Sequence, residues 1–176
     1  MRHKKNAFTL IELLIVIIIV VILSTMVMLA GGESQAAARA TKIVSTLTNL
    51  KMFALTWYKD NSDKIDKDGN FSGTELKDYF SASEGQNKIK KFLVGDVTIS
   101  SGGGGYEILN KDNNNGKSAW YVCYHLKNDS EHTKIKAKLE DKARESKNLL
   151  WQENANKLEM YTNGDTIYMH VMTFNY

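Results

Sequence analysis

A long aliphatic run near the N-terminus restricts the folds that this chain can adopt. Every residue from Leu13 to Leu23 is aliphatic, and the continuation to Ala30 adds only Ser24 and Thr25 as polar groups. About 18 consecutive apolar residues are enough for a transmembrane helix. The run therefore predicts a helix that is surrounded by lipid or by other apolar helices.

The segment before this run is short and basic. Residues 1–7, MRHKKNA, contain Arg2, Lys4 and Lys5 and no acidic residue. Basic residues that flank a first span keep that end in the cytoplasm, so we expect the bulk of the chain outside. A cleaved secretory signal peptide is the alternative. The length of the run, the presence of Glu12 and the continuing helix pattern count against it.

Glu12 is the one charged residue in the stretch AFTLIELLIVIIIVVILSTM, residues 7–26. A charge inside an apolar helix costs about 2.5–3.5 kcal/mol on insertion scales. Either Glu12 lies at the membrane interface, where the cost is small, or it has a partner of opposite charge.

After the run, the pattern changes to a single apolar stripe with alternating spacings of four and three, which predicts an amphipathic helix. Its members are Ala36, Ala40, Ile43, Leu47, Leu50, Ala54 and Trp57. The chain has no proline, so residues 8–58 are predicted to form one helix about 75 Å long. Gly31 and Gly32 each weaken it by about 1 kcal/mol relative to Ala, and they predict a bend or a locally melted turn.

The rest of the chain predicts an antiparallel sheet with short helices. Turn residues separate aromatic and β-branched runs, and Asn163-Gly164 is a strong hairpin signal. The expected helices are 74–80, with Thr74 as a cap, 87–93 and 130–155, in which Ile135, Leu139, Ala143 and Leu150 share one side. The expected strands are 97–100, 106–109, 118–126, 158–162 and 165–174, and residues 102–105 are a flexible break.

The expected fold class is α+β, in which a long N-terminal helix, membrane-spanning in its first half, packs on an antiparallel sheet of three to five strands. The chain then divides into a basic N-terminal segment, a transmembrane helix, its amphipathic continuation and an exported globular head. These are residues 1–7, 8–30, 31–58 and 59–176.

The stretch AFTLIELLIVIIIVVIL resembles the N-terminus of the type IV pilin and pseudopilin family, the class III prepilin signal. A short basic leader, then Phe-Thr-Leu-Ile-Glu, then a long aliphatic run carry the likeness, over about residues 2–30. The resemblance implies that a prepilin peptidase cuts between Ala7 and Phe8 and methylates the new amino group of Phe8. It also implies that the carboxylate of Glu12 faces the free amino terminus of a neighbouring subunit in the filament. That pairing is physically reasonable, because two opposite charges removed from water are less costly together than apart.

The chain departs from the family pattern in three ways. Ala7 stands where the family usually has glycine. The proline that many members carry about twenty residues into the mature helix is absent here. One cysteine, Cys123, cannot form the intrachain disulfide that closes the C-terminal region of many pilins.

The predicted function is that of a structural subunit of a type IV pilus, anchored first in the cytoplasmic membrane with its head outside and then assembled into a surface filament. The resemblance implies a homo-oligomer, a prepilin peptidase, an assembly ATPase and an inner-membrane platform protein as partners. Alternatives are a pseudopilin of a type II secretion or competence system, a membrane-anchored calcium- or ligand-binding module, and an anchored enzyme.

No catalytic constellation or phosphate-binding loop is visible, which favours a non-enzyme. Of the 23 basic residues, three lie in the leader, which leaves 20 basic against 20 acidic residues. A neutral head has little long-range attraction for nucleic acid, so the basic clusters 88–92 and 134–138 are interpreted as solvated faces. The aromatic residues of the last strands are interpreted as alternating core and surface positions, and an unspecified surface subset of them is a candidate adhesive surface. These residues are Trp120, Tyr121, Tyr124, Tyr161, Tyr168, Phe174 and Tyr176.

No cofactor is required, but one segment, IDKDGNFSGTEL at 65–76, resembles a calcium-binding loop. With Gly69 at the glycine position of the loop, the candidate calcium ligands are Asp66, Asp68, Asn70, Ser72 and Glu75. The first ligand position is Lys64, which cannot ligate, although Asp63 is adjacent. The alternative is an Asp/Asn/Gly loop that binds nothing.

Cys123 and His125 are two residues apart in a predicted strand and therefore share one face, which is a way to begin a metal site. The sequence offers no further ligand pair at suitable spacing. Otherwise Cys123 is a small buried residue.

Overall fold

The computed structural model describes residues 10–92, 105–112, 117–127, 130–146, 151–154, 157–160 and 165–174, and the side chains of 26–31, 92, 112, 151–154 and 157–160 lie outside that description. The helices are α1 (Leu10–Asn61), α2 (Leu76–Ser81), α3 (Ser83–Phe92) and α4 (Ser130–Glu145), with a 3₁₀ turn at Ser62–Lys64. The strands are β1 (Tyr106–Asp112), β2 (Ser118–His125), β3 (Trp151–Asn154), β4 (Lys157–Met160) and β5 (Thr166–Thr173). The α+β class is confirmed.

Helix α1 is a single helix of 52 residues. It continues through Gly31 and Gly32, so the melted turn that these glycines predicted is not present. The reason is that helix formation is cooperative. Two glycines cost about 1 kcal/mol each, but the helix is already established on both sides and breaking it there would remove further hydrogen bonds.

The second half of α1 buries the predicted stripe. All seven residues of the stripe are at most 6% exposed, and Leu47, Leu50, Ala40 and Ala54 are completely buried. Phe53, which the spacing argument omitted, is buried as well. The stripe packs against the sheet and against α4, where the predicted side Ile135, Leu139 and Ala143 is buried.

The sheet is antiparallel, with strand order β1-β2-β5-β3-β4. In β2, Trp120, Val122 and Tyr124 face α1 and join the main core. Between Trp120 and Tyr121 the pairing with β5 shifts, because Trp120 lies opposite Met172 and Tyr121 lies opposite His170. This leaves one extra residue in β5, a bulge that re-aims the side chains that follow it.

Aromatic rings close the end of the core where the stripe finishes. The ring of Trp57 lies 4.8 Å from that of Phe71, 5.0 Å from that of Phe80 and 5.9 Å from that of Trp120, between centroids. Aromatic pairs at this separation contribute beyond the area they bury. They hold the C-terminal end of α1 against the head.

Two predictions about the C-terminal region are wrong. Residues 151–154 form strand β3 and not the end of a helix that runs to 155, since α4 ends at Glu145. Strands β4 and β5 are not a hairpin, because β3 lies between them and pairs with both. A hairpin signal reports only local turn preference, whereas strand order depends on pairings between distant parts of the chain. Leu150 and Asn163-Gly164 themselves lie outside the described residues.

The short helices were predicted in the right places with different ends. The N-cap of α2 is Glu75, without a capping hydrogen bond from its side chain, so the predicted cap at Thr74 is wrong. Thr74 instead forms a bridge with Phe71. Helix α3 begins at Ser83, earlier than predicted. The predicted strand 97–100 and residues 102–104 of the glycine run lie outside the described residues.

Candidate functional site

The candidate functional site is the first half of α1, which is apolar on every side. Its large aliphatic side chains are all about half exposed or more, from 49% for Ile22 to 83% for Leu10. They are Leu10, Ile11, Leu13, Leu14, Ile15, Val16, Ile17, Ile18, Ile19, Val20, Val21, Ile22 and Leu23. A contiguous apolar surface of this extent marks a site of contact with a membrane or with other protein.

Two hydroxyl groups, on Ser24 and Thr25, lie at the C-terminal end of this apolar stretch. Ser24 Oγ donates to the carbonyl oxygen of Val20 at 2.7 Å, and Thr25 Oγ1 donates to that of Ile22 at 2.8 Å. Each hydroxyl is therefore satisfied within its own helix, as it must be in an apolar environment. Across the described residues, no helix has an apolar stretch that is long enough to cross a membrane.

Glu12 lies in the first turn of α1 and its side chain is exposed. The N-terminal end of a helix carries partial positive charge, which favours a carboxylate there. Ala7 and Phe8 lie outside the described residues, so the cleavage site and the methylated residue stay predictions. The predicted assembly role of Glu12 stays a prediction as well, since it concerns a second subunit.

The predicted calcium loop folds around Asp66. One carboxylate oxygen of Asp66, Oδ1, accepts the backbone N–H groups of Asp68 at 2.9 Å and Asn70 at 2.8 Å, and the other accepts from Asn70 Nδ2 at 3.3 Å. This is the arrangement by which aspartate stabilises a turn. Ser72 is exposed with a positive φ of 49°, and Glu75 is exposed and forms an ion pair with Lys77 at 2.9 Å.

The same loop is held onto the sheet through its backbone. The carbonyl oxygen of Gly69 accepts from Trp120 Nε1 at 2.8 Å, and that of Asp68 accepts from Ser118 Oγ at 2.6 Å and from Asn110 Nδ2. Gly69 is required by its φ of 78°, and a Cβ there would lie 2.9 Å from atoms of Trp120 and Phe174. The loop therefore has structural contacts that explain its residues, and calcium binding by it stays a prediction.

In the described part of the chain, three or more His, Cys, Asp or Glu side chains converge at one place, and that place does not include the calcium-loop residues. The group is Glu107, Cys123 and His125. The predicted pair Cys123 and His125 thus gains a third member that the sequence did not indicate, because Glu107 lies opposite Cys123 only through the register of β1 on β2. Burial, and then the negative charge of Glu107, raise the pKa of the Cys123 thiol well above its ordinary value.

The basic clusters have acidic neighbours. Lys88 lies 3.1 Å from Glu84, Lys136 lies 3.4 Å from Asp165, and Lys138 lies 3.9 Å from Glu33. Such exposed pairs contribute little stability but offset local positive charge. They fit the interpretation of solvated faces.

Most of the candidate adhesive aromatic residues are in the interior. Those in the described part of the chain are at most 8% exposed: Trp120, Tyr121, Tyr124, Tyr168 and Phe174. The adhesive interpretation is therefore wrong for these five. Tyr161 and Tyr176 lie outside the described residues.

Comparison with known proteins identifies the N-terminal segment. Residues 2–28 match the family model for the prokaryotic N-terminal methylation motif, the class III prepilin signal of type IV pilins and pseudopilins. Comparisons with curated proteins and with solved structures find no significant match. The resemblance noted from the sequence is confirmed for this segment, and the motif supports a type IV pilin- or pseudopilin-like protein. The signal points to a structural subunit and implies processing by a prepilin peptidase.

Proposed function

We propose that this pilin-like chain is a structural subunit of a type IV pilus filament, assembled through the first half of α1. The observation that carries the proposal is the N-terminal methylation motif at residues 2–28, within which the apolar surface of α1 is exposed over Leu10–Leu23. The motif directs processing, and the apolar helix supplies the surface through which processed subunits pack.

In this proposal the peptidase cuts between Ala7 and Phe8 and methylates Phe8. The processed chain waits in the cytoplasmic membrane, with residues 8–30 in lipid and the head outside. An assembly ATPase and an inner-membrane platform protein then add it to a growing surface filament of identical subunits. The basic leader, with Arg2, Lys4 and Lys5, favours this orientation.

Transfer of the helix from lipid to a filament core gains little hydrophobic energy, because lipid tails are as apolar as leucine. Register must therefore come from another interaction. Cleavage after Ala7 creates an ammonium group on Phe8, and the carboxylate of Glu12 in a neighbouring subunit is its proposed partner. Leaving one such buried charge unpaired costs about 3–5 kcal/mol, so a subunit in the wrong register is rejected.

The second candidate is a pseudopilin of a type II secretion or competence system, which assembles through the same helix. One observation favours it. Cys123 is the only cysteine and is a buried free thiol, so the head lacks the intrachain disulfide typical of many pilins.

The experiment is mass spectrometry of the membrane fraction and of filaments sheared from cells. We expect a mature chain that begins at N-methylated Phe8 in both. An unprocessed chain that begins at Met1 and is absent from filaments would overturn the filament proposal. Imaging of cells that lack the chain separates the two candidates, because loss of surface filaments supports the pilus and loss of secretion or DNA uptake with filaments retained supports the pseudopilus.

A further inference from the structure

Three side chains with metal-ligating atoms meet on the face of the sheet that is turned away from α1. Glu107 Oε2 lies 2.8 Å from His125 Nε2, Cys123 Sγ lies 3.7 Å from His125 Nε2, and Cys123 Sγ lies 3.9 Å from Glu107 Oε2. The three atoms therefore form a small triangle, each within reach of one common point.

The strand pairing explains why they meet. Glu107 of β1 lies directly opposite Cys123 of β2 in the antiparallel register, and His125 follows Cys123 by two residues on the same face. Thr166 of β5 lies opposite His125 from the other side, and its Oγ1 is 3.0 Å from His125 Nδ1. Three neighbouring strands thus fix the site, which makes it more rigid than a site on a loop.

The surroundings are unusual for charged groups. Cys123 is completely buried, and Glu107 is the one buried charged or polar residue found in the described part of the chain, at 6% exposed. Ala119, Tyr121 and Tyr168 complete a second buried cluster on this face. Lys111, on the same face, is a nearby positive charge that acts on Cys123. A carboxylate in such a place needs compensation by a partner of positive charge.

The geometry does not suit a nucleophilic cysteine. In such a triad the histidine uses one ring nitrogen for the nucleophile and the other for the acid that orients it. Here both Cys123 Sγ and Glu107 Oε2 face Nε2, while Nδ1 faces Thr166. A fully buried sulfur also has no access to a substrate. Convergence of three ligand atoms on one side of the imidazole is what a metal ion requires.

We propose that Glu107, Cys123 and His125 bind a Zn²⁺ ion. Thiolate, imidazole and carboxylate are the ligands zinc takes, at about 2.0–2.3 Å, which separates ligand atoms in a tetrahedron by about 3.3–3.6 Å. The two sulfur distances are within a few tenths of an ångström of this range, and the Glu107–His125 distance opens by about half an ångström. The three side chains leave a fourth position for water, and the His125 side chain is 23% exposed.

Charge and orientation support zinc further. The carboxylate and the thiolate carry two negative charges, which the two positive charges of the ion cancel. Binding releases the thiol proton of Cys123, and the zinc affinity therefore falls as the pH is lowered. The contact of Nδ1 with Thr166 orients the imidazole and presents Nε2 to the ion, which is the usual supporting interaction for a metal-binding histidine.

The experiment uses the full chain, purified in detergent, dialysed against Zn²⁺ and then against metal-free buffer. We expect one zinc ion per chain by elemental mass spectrometry, and loss of it in Cys123→Ala and His125→Gln. His170→Gln is the matched control, because His170 is a half-buried histidine of β5 that bonds Thr173 instead. Thr166→Val should weaken zinc binding about 10–100-fold, since it removes only the supporting contact.

Co²⁺ provides the measurement that does not depend on variants. A cobalt–thiolate complex has a charge-transfer band in the near ultraviolet, and Cys123 is the only thiol in the chain. The band in folded wild-type protein identifies Cys123 as a ligand even if a variant fails to fold. Folded wild-type protein that retains no zinc and shows no such band would overturn the proposal and leave a hydrogen-bonded Glu107–His125 pair. Equal zinc content in Cys123→Ala and wild type would overturn it too, since the ion would then lie elsewhere.

Discussion

The two halves of α1 share one helix and have opposite environments. In the first half, large aliphatic side chains lie on all sides and are 49% exposed or more. In the second half, the seven residues of the stripe from Ala36 to Trp57 are at most 6% exposed and pack against the sheet and α4. Helix formation and helix burial are therefore separate properties. The first half requires a partner outside its own chain, and the second half already has one.

The substitution with the largest expected effect tests the role of the first half of α1. Glu12→Gln keeps the size of the side chain and removes its charge. The ammonium group of Phe8 in the neighbouring subunit is then left buried and unpaired, which destabilises the filament contact by about 3–5 kcal/mol. Cleavage should persist, and the membrane should contain abundant processed subunit with few or no sheared filaments. Glu33→Gln, a change of the same kind in the second half, is the control and should assemble. Normal filament levels in Glu12→Gln would contradict the charge-pairing role.

The next effect tests whether burial is confined to the second half. Leu50→Ala opens a cavity in the core and should lower the free energy of unfolding of the head by about 2–5 kcal/mol. Leu14→Ala, the same change on the exposed half, should leave it unchanged within about 0.5 kcal/mol. Thermal or denaturant unfolding, monitored by tryptophan fluorescence, provides the comparison. Equal losses in the two variants would mean that the first half also packs on the head.

A third change tests the packing of the 65–76 loop against the aromatic rings that contact the second half of α1. Gly69→Ala forces a Cβ to 2.9 Å from Trp120 and Phe174, both of which contact Tyr58 of α1. We expect a loss of about 1–3 kcal/mol. Gly73→Ala has the same φ of 78° with nothing within 4 Å of the new Cβ, so it isolates the conformational cost. Similar unfolding midpoints for the two variants would show that the contact of Gly69 with the rings is not required.

A smaller change tests the junction between the halves. Gly32 is helical, and a Cβ there meets only Lys134 Nζ at 3.5 Å. Gly32→Ala should therefore stabilise α1 by about 1 kcal/mol, seen as a higher unfolding midpoint of the full chain. Filaments should assemble normally. Stabilised protein that no longer assembles would indicate that the junction must bend or melt in the filament.

The smallest expected effect concerns the loop after α1. The calcium prediction requires heat release when the full chain is titrated with millimolar calcium, the affinity range of extracellular sites. Asp66→Asn should abolish that heat but keep the turn, because its amide oxygen can still accept the two backbone N–H groups. A titration without heat would leave the loop with its structural contacts alone.

Helices and strands that have a clear apolar period in the sequence were predicted well. The stripe from Ala36 to Trp57 was correct in all seven positions. Strands β1 and β2 and the buried side of α4 were also found. These signals are local, because a helix or strand repeats every few residues and exposes its pattern directly. Strands β4 and β5 were predicted close to their observed positions, but β3 was not, since it has no strong pattern of its own and its position between β4 and β5 depends on distant pairing.

Three features could be predicted from the sequence: the prepilin signal, the continuity of α1 from an apolar half to an amphipathic half, and the combination of helices with antiparallel strands in the head. The strand order, the anchoring of the 65–74 loop on Trp120 and the meeting of Glu107 with Cys123 and His125 became visible only in the folded chain. The physical reason is distance along the chain. Local backbone preferences and apolar periodicity are written in neighbouring residues, whereas register and side-chain convergence arise when strands far apart in sequence compete to pair.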